Sequence, residues 1–68
     1  MLERGTLLDF DGAAHTATVR YAGSISTVVA GVPVSRGIAL AEMPAGRRVA
    51  VVVFDAGHPA DAMVVEVY

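Results

Sequence analysis

Residues 47–68 read RRVAVVVFDAGHPADAMVVEVY. They divide into a strand, Arg48–Phe54, a connection, Asp55–Asp61, and a second strand, Ala62–Tyr68. β-Branched residues fill both arms, and Asp, Gly and Pro fill the link, which is the composition of a β-hairpin with a medium-length loop. The first arm is apolar on both sides. Val49, Val51 and Val53 point one way, and Ala50, Val52 and Phe54 the other. A strand with one wet face alternates apolar with polar residues, so this one calls for cover on both faces.

The rest of the chain fits around that hairpin. Gly5–Phe10 predicts a first strand, and Asp11-Gly12 is a strong turn signal. His15–Tyr21 alternates cleanly and predicts a second strand. A turn at Ala22–Ser24 leads to a third strand over Ile25–Ala30. Pro33 has no N–H to give to a ladder, so Val32–Ser35 is an edge or a crossing segment. Residues 36–43, with Gly37 near their start and Pro44 just past their end, predict a loop with a short helical turn, an extended segment being the alternative. A weak internal echo links the two ends of the chain. Each contains a strand, Phe-Asp, a glycine-bearing turn, a histidine, and a strand ending in tyrosine.

Composition limits what such a chain can do. With 68 residues it forms a single domain, over 1–68. Folding at this size removes only about 60% of the unfolded chain's surface from water. Disulfides, metals or oligomerisation usually make up the deficit. Cysteine is absent, which excludes disulfides, thiolate metal sites and cysteine nucleophiles together. Hydrophobic residues make up 54% of the chain against 18% charged, and the mean hydropathy is +0.57. No apolar run approaches the ~18 residues that would cross a bilayer, and no signal-peptide pattern opens the chain. The expectation is a protein that buries its surplus apolar surface against copies of itself or a larger partner. The net charge is −2, and all five basic residues are arginine. An acidic balance argues against general nucleic-acid binding.

No motif carries chemistry. His15 and His58 follow turns without an established ligand spacing, so no metal site is expected. Asp9, Asp11, Asp55 and Asp61 read as turn formers that bond their own backbone. A barrel this small is expected to lack room for a cleft of ~300 Å³, which paired carboxylates would need. Ser24, Ser26, Thr27 and Ser35 lack a glycine-flanked nucleophile elbow. Of the aromatic residues, Phe10 and Phe54 read as core plugs, whereas an exposed Tyr21 could stack on a base. No cofactor is expected and no catalytic residue is assigned.

The sites that remain are contacts. Val52, Phe54, Val64 and Tyr68 form the surplus apolar face, and Ile38, Leu40 and Met43 form a flap or second patch. Arg20 and Arg36 are further candidates. Arg47 and Arg48 offer planar forks for carboxylates of a neighbouring subunit, such as Glu3, Glu42 or Glu66.

Five short strands with an interruption between the third and fourth predict a small, closed, all-β barrel with the layout of an OB-fold. An SH3-like barrel is the alternative. Closure would remove the edges that a valine-rich sheet cannot safely leave open. The stretches Gly5–Asp11, Thr16–Tyr21, Gly46–Val52 and Gly57–Val65 resemble the OB-fold modules of phage baseplate and tail-spike proteins. The shared rhythm is a first strand ending in Asp, a valine–arginine strand, a glycine-led strand and a G-x-P-x-D-A-x-V return. The resemblance implies a non-enzymatic virion part, in the tail, baseplate or capsid decoration, often trimeric and docked on larger assembly proteins. The chain lacks the long spike or lysozyme domains that often accompany such modules. Outside that resemblance, a cytoplasmic protein or a single-stranded nucleic-acid-binding OB module is the alternative.

Overall fold

The computed structural model describes residues 1–22, 27–55 and 57–68, without the side chain of Leu40. Expectations for Ser24, Ser26 and the Leu40 side chain lie outside the described residues. Five strands follow in order: β1 (Leu2–Asp11), β2 (Thr16–Tyr21), β3 (Val28–Pro33), β4 (Arg48–Val53) and β5 (Ala62–Val67). A 3₁₀ turn at Leu40–Glu42 interrupts the chain between β3 and β4, as Gly37 and Pro44 require of so short a segment. The third strand spans Val28–Pro33, past the expected end at Ala30; its expected start at Ile25 lies outside the described residues. Pro33 is tolerated because it is the last residue of an edge strand.

The strands form one sheet in the order β3-β2-β1-β4-β5, and every ladder is antiparallel. The sheet curls into a half-barrel. It does not close, contrary to the barrel expected from strand count. β3 and β5 meet at a single parallel bridge, Val34 with Val64, where the Ser35 N–H donates to the Val64 carbonyl at 2.8 Å. The curl comes from three irregularities, because an extra residue on one strand bends it and increases its twist. Leu8 is extra on β1, between the pairs Leu7–Val19 and Asp9–Thr18. Ala30 and Gly31 together face Thr18, and Gly31 has the positive φ of 70° that a bulge of this kind requires. Val65 is extra on β5, between Val64 and Glu66.

Each bulge resets the alternation of faces. Gly5 and Leu7 point inward on β1, and beyond Leu8 so does Phe10. Ala62 and Val64 point inward on β5, and beyond Val65 so does Val67. The core is formed by Leu7, Val19, Val32, Val49, Val51 and Val64, all fully buried, with Tyr21, Val34, Val53 and Met43 around them. Gly5 is buried between β2 and β4, opposite Tyr21 and Val49. A Cβ there would lie 2.6 Å from Val19 Cγ1 and 3.0 Å from the Arg20 carbonyl oxygen.

The chain exposes 4082 Å². A monomeric protein of its mass shows about 4,000 Å². The excess of apolar surface is therefore local, not a general failure to enclose a core.

Candidate interaction surface

The expected contact residues separate into two groups. Val64 is 0% exposed and Met43 5%, so both belong to the core and neither can form a contact surface. Simple alternation puts Val64 on the face of Tyr68. The Val65 bulge separates them, sending Val64 inward and Tyr68 outward. Ile38 is half-buried and packs against the core as well. Phe54 is not a core plug, since it is 63% exposed, and Tyr68 is 46% exposed. Val52 is half-buried on the outer face.

Register arranges that outer face in rows, because directly opposed residues share a face. Leu2, Val52 and Met63 make an apolar row across β1, β4 and β5. Leu2 is 67% exposed, and Phe54, two residues after Val52, is exposed as well. Two residues along lies the row Arg4, Ala50 and Glu66. The next row is Val28, Arg20, Thr6 and Arg48. Tyr68 completes it, with the Arg48 guanidinium 5.2 Å above the centre of its ring. A cation in that position is attracted to the negative face of the ring. Leu2 and Arg4 lie ahead of the first strand expected from the sequence, which begins at Gly5, whereas β1 begins at Leu2. The alternation Leu2-Arg4-Thr6 against Glu3-Gly5-Leu7 was the available signal.

Arg47 differs from the other arginines. Its Nη1 lies 3.0 Å from Glu42 Oε2 and also donates to the Glu42 carbonyl, so it is paired within its own chain. The pair is solvent-exposed and contributes about 0–1 kcal/mol.

The polar candidates act as local structure. Asp11 Oδ1 accepts the N–H groups of Ala13 and Ala14 at 3.0 and 3.3 Å. Asp55 accepts from Gly57 N–H through Oδ1 and contacts His58 Nδ1 through Oδ2 at 2.8 Å. His15 Nε2 lies 3.2 Å from the Ser35 carbonyl oxygen, so that nitrogen carries the hydrogen and donates it. The ring also meets Phe10 edge-on, and the His15 carbonyl accepts from Val34 N–H. His15 thereby ties the β1–β2 turn to the end of β3. Tyr21 is buried and donates its hydroxyl hydrogen to the Pro59 carbonyl at 2.9 Å, so it presents no face for stacking. Burial, and then the nearby Glu3 carboxylate, raise its pKa above the ordinary 10.0.

A cleft of about 550 Å³ opens at the β3–β5 seam, beside His15, Pro33, Ser35, Arg36 and Met63. The expectation that so small a barrel has no room for one fails because the sheet stays open there. None of the four aspartates lines it. Asp11 and Asp55 lie at opposite ends of the antiparallel β1–β4 pair, too far apart to act together. Among the described residues, no three His, Cys, Asp or Glu side chains gather as a metal site would need, and no helix is long and apolar enough to cross a membrane.

Comparison with known proteins finds no matching family model, no similar curated protein and no similar solved structure.

Proposed function

We propose that this chain is a non-enzymatic structural module that self-associates or docks on a larger assembly. The observation that carries this reading is the outer face of β1, β4 and β5. Leu2, Phe54, Val65 and Tyr68 are exposed there beside half-buried Val52 and Met63. A folded subunit with an ordinary total surface that still exposes Leu2, Phe54 and Tyr68 has the composition of an interface. Aromatic residues, Met and Arg are enriched in protein contacts and Lys is depleted.

An OB-like architecture suits the same reading. The order β3-β2-β1-β4-β5, with β3 and β5 brought together by a parallel bridge, follows the path of a partly open, five-stranded Greek-key barrel. The virion setting, as a phage tail, baseplate or capsid-decoration component, and the trimeric state rest on the resemblance in strand and turn rhythm.

Light scattering at micromolar concentration tests self-association. The expected result is a stable oligomer that the double substitution Leu2→Ser with Phe54→Ser converts to a folded monomer. A wild-type subunit that is monomeric at those concentrations refutes self-association. An oligomer unchanged by the double substitution refutes this face as the contact.

A further inference from the structure

We infer that Arg4, Arg20 and Arg48, grouped around Thr6 on the outer face of the sheet, form a docking site for an acidic, apolar-bearing surface of a different protein. The inference rests on the assembly reading above and deepens it by naming the partner's chemistry.

Three observations carry it. The first is position. Thr6 lies directly opposite Arg20 on β2 and directly opposite Arg48 on β4, and Arg4 precedes it by two residues on the same face of β1. Directly opposed Cβ atoms are about 5 Å apart and diagonal neighbours about 7–8 Å. Three of the five positive charges of a chain with net charge −2 therefore share one small patch.

The second is that none of these charges has an ion-pair partner among the described residues. All three arginines are exposed. Among the described residues the ion pairs are Arg47 with Glu42 and His58 with Asp55, and neither involves the patch. Glu66, across Ala50 from Arg4, turns Oε1 to its neighbour's Val67 N–H. Asp9 and Asp11, opposite Thr18 and Thr16, lie farther along this face of β1, and neither forms an ion pair among the described residues. Like charges held this close repel, and an incoming carboxylate relieves that repulsion while meeting planar, bidentate donors.

The third is what borders the patch. On one side runs the apolar row Leu2, Val52 and Met63, and on the other Val28, which is 51% exposed. A protein surface can use both the basic and the apolar parts. A nucleic-acid strand needs a basic track that continues and open aromatic faces on which bases stack. Here the basic patch ends in apolar residues, and Arg48 already covers a face of the exposed Tyr68 ring. A second copy packed two-fold about Thr6 would set three arginines against three arginines, with Glu66 in the adjoining row and Asp9 and Asp11 farther along β1. The charge pattern thus favours a different, acidic partner over self-pairing through this patch.

The test is an NMR titration of the isotope-labelled, intact chain at low salt. One probe is a short peptide of alternating glutamate and leucine, and the other is oligothymidylate of equal charge. The peptide is expected to shift the amides of Thr6, Ala50 and Val52 and to bind more tightly than oligothymidylate. Its affinity should fall at least tenfold in Arg20→Gln with Arg48→Gln and decline as salt is added. Dispersed amide signals from Val19 and Val51 report that the variant has folded. If the double variant fails to fold, Arg4→Gln alone is titrated, with a several-fold loss expected. Unmoved Thr6 and Ala50 amides, or an affinity indifferent to these substitutions, overturn the proposal. Tighter binding of oligothymidylate overturns it in favour of nucleic acid. A chain that binds the peptide but stays monomeric refutes self-association alone. A chain that assembles but ignores the peptide refutes this site alone.

Discussion

Replacing Gly5 with alanine adds one methyl group where there is no space for it. The new Cβ would lie 2.6 Å from Val19 Cγ1, 3.0 Å from the Arg20 carbonyl oxygen and 3.5 Å from Val49 Cγ2. Val19 is β-branched and stiff at χ1, and the carbonyl is fixed in the β1–β2 ladder. Neither can simply rotate aside. Overpacking of this kind costs about 1–3 kcal/mol. Against it stands a gain of about 0.4–1 kcal/mol, because alanine restricts the unfolded chain. The backbone φ at Gly5 lies outside the left-handed region, so alanine adds no conformational penalty to the clash. With a backbone atom among the obstacles, the net loss is expected near 1.5–2 kcal/mol. A domain of this size loses about 4–8 °C of Tm per kcal/mol, so the midpoint should fall by roughly 6–16 °C. Urea and thermal melts followed by circular dichroism measure both quantities. Val19→Ala removes the closest obstacle, so Gly5→Ala should cost at least ~0.5 kcal/mol less in that background. An alanine variant as stable as the parent, or a cycle with no coupling, would refute the claim that Gly5 sits in contact-limited space against Val19 and the Arg20 carbonyl.

Tyr21→Phe removes the hydroxyl bond to Pro59 and should cost about 0.5–1.5 kcal/mol at neutral pH in a urea melt. The folded protein holds the Tyr21 proton more tightly than the unfolded chain does. That contribution is fully present below pH 10, and it is lost as pH rises through the raised folded value. Melts above pH 10 should show the phenylalanine variant losing less stability than the parent, and parallel losses would contradict the assignment. His15 has a φ of 55°, in the left-handed region. His15→Val should therefore lose about 1–3 kcal/mol in thermal melts, from a β-branched residue forced into that conformation. His15→Asn, which tolerates it, should lose less, and equal losses would mean that the Ser35 contact alone matters.

The strands were legible because valine-rich arms bounded by Asp-Gly, Gly-His-Pro and Pro-Ala-Gly leave little else for the chain to do. Pro33 marked an edge, though in a segment Val32–Ser35 set apart from the third strand rather than at that strand's end, and the short helical turn followed from Gly37 and Pro44. What escaped was parity. Nothing in Met63-Val64-Val65-Glu66 distinguishes a regular strand from one with an extra residue, because Val64 and Val65 are chemically the same. Val64 was therefore assigned to the surface it does not reach. Met43 was misplaced for a related reason, since a lone apolar residue before Pro44 fits a flap as well as a core. Closure could not be read either, because strand count fixes neither curvature nor the number of β3–β5 bridges. The arginine patch emerges only from register. Arg4, Arg20 and Arg48 are far apart in sequence, and Thr6 brings them together only once β1 is known to lie between β2 and β4.

The extra residues on β1, β3 and β5 also set which length changes the chain can absorb. Removing Leu8 leaves Gly5, Leu7 and Phe10 in strict alternation, and removing Val65 does the same for Ala62, Val64 and Val67. Deleting Ala50 on β4, which carries no extra residue, instead transposes the side chains beyond the cut, turning Val51 and Val53 outward. A lineage descended from this sequence could thus shed residues singly at a few points along its strands, exchanging curvature for flatness while keeping its interior. Elsewhere in the strands, one lost codon scrambles inside and outside together.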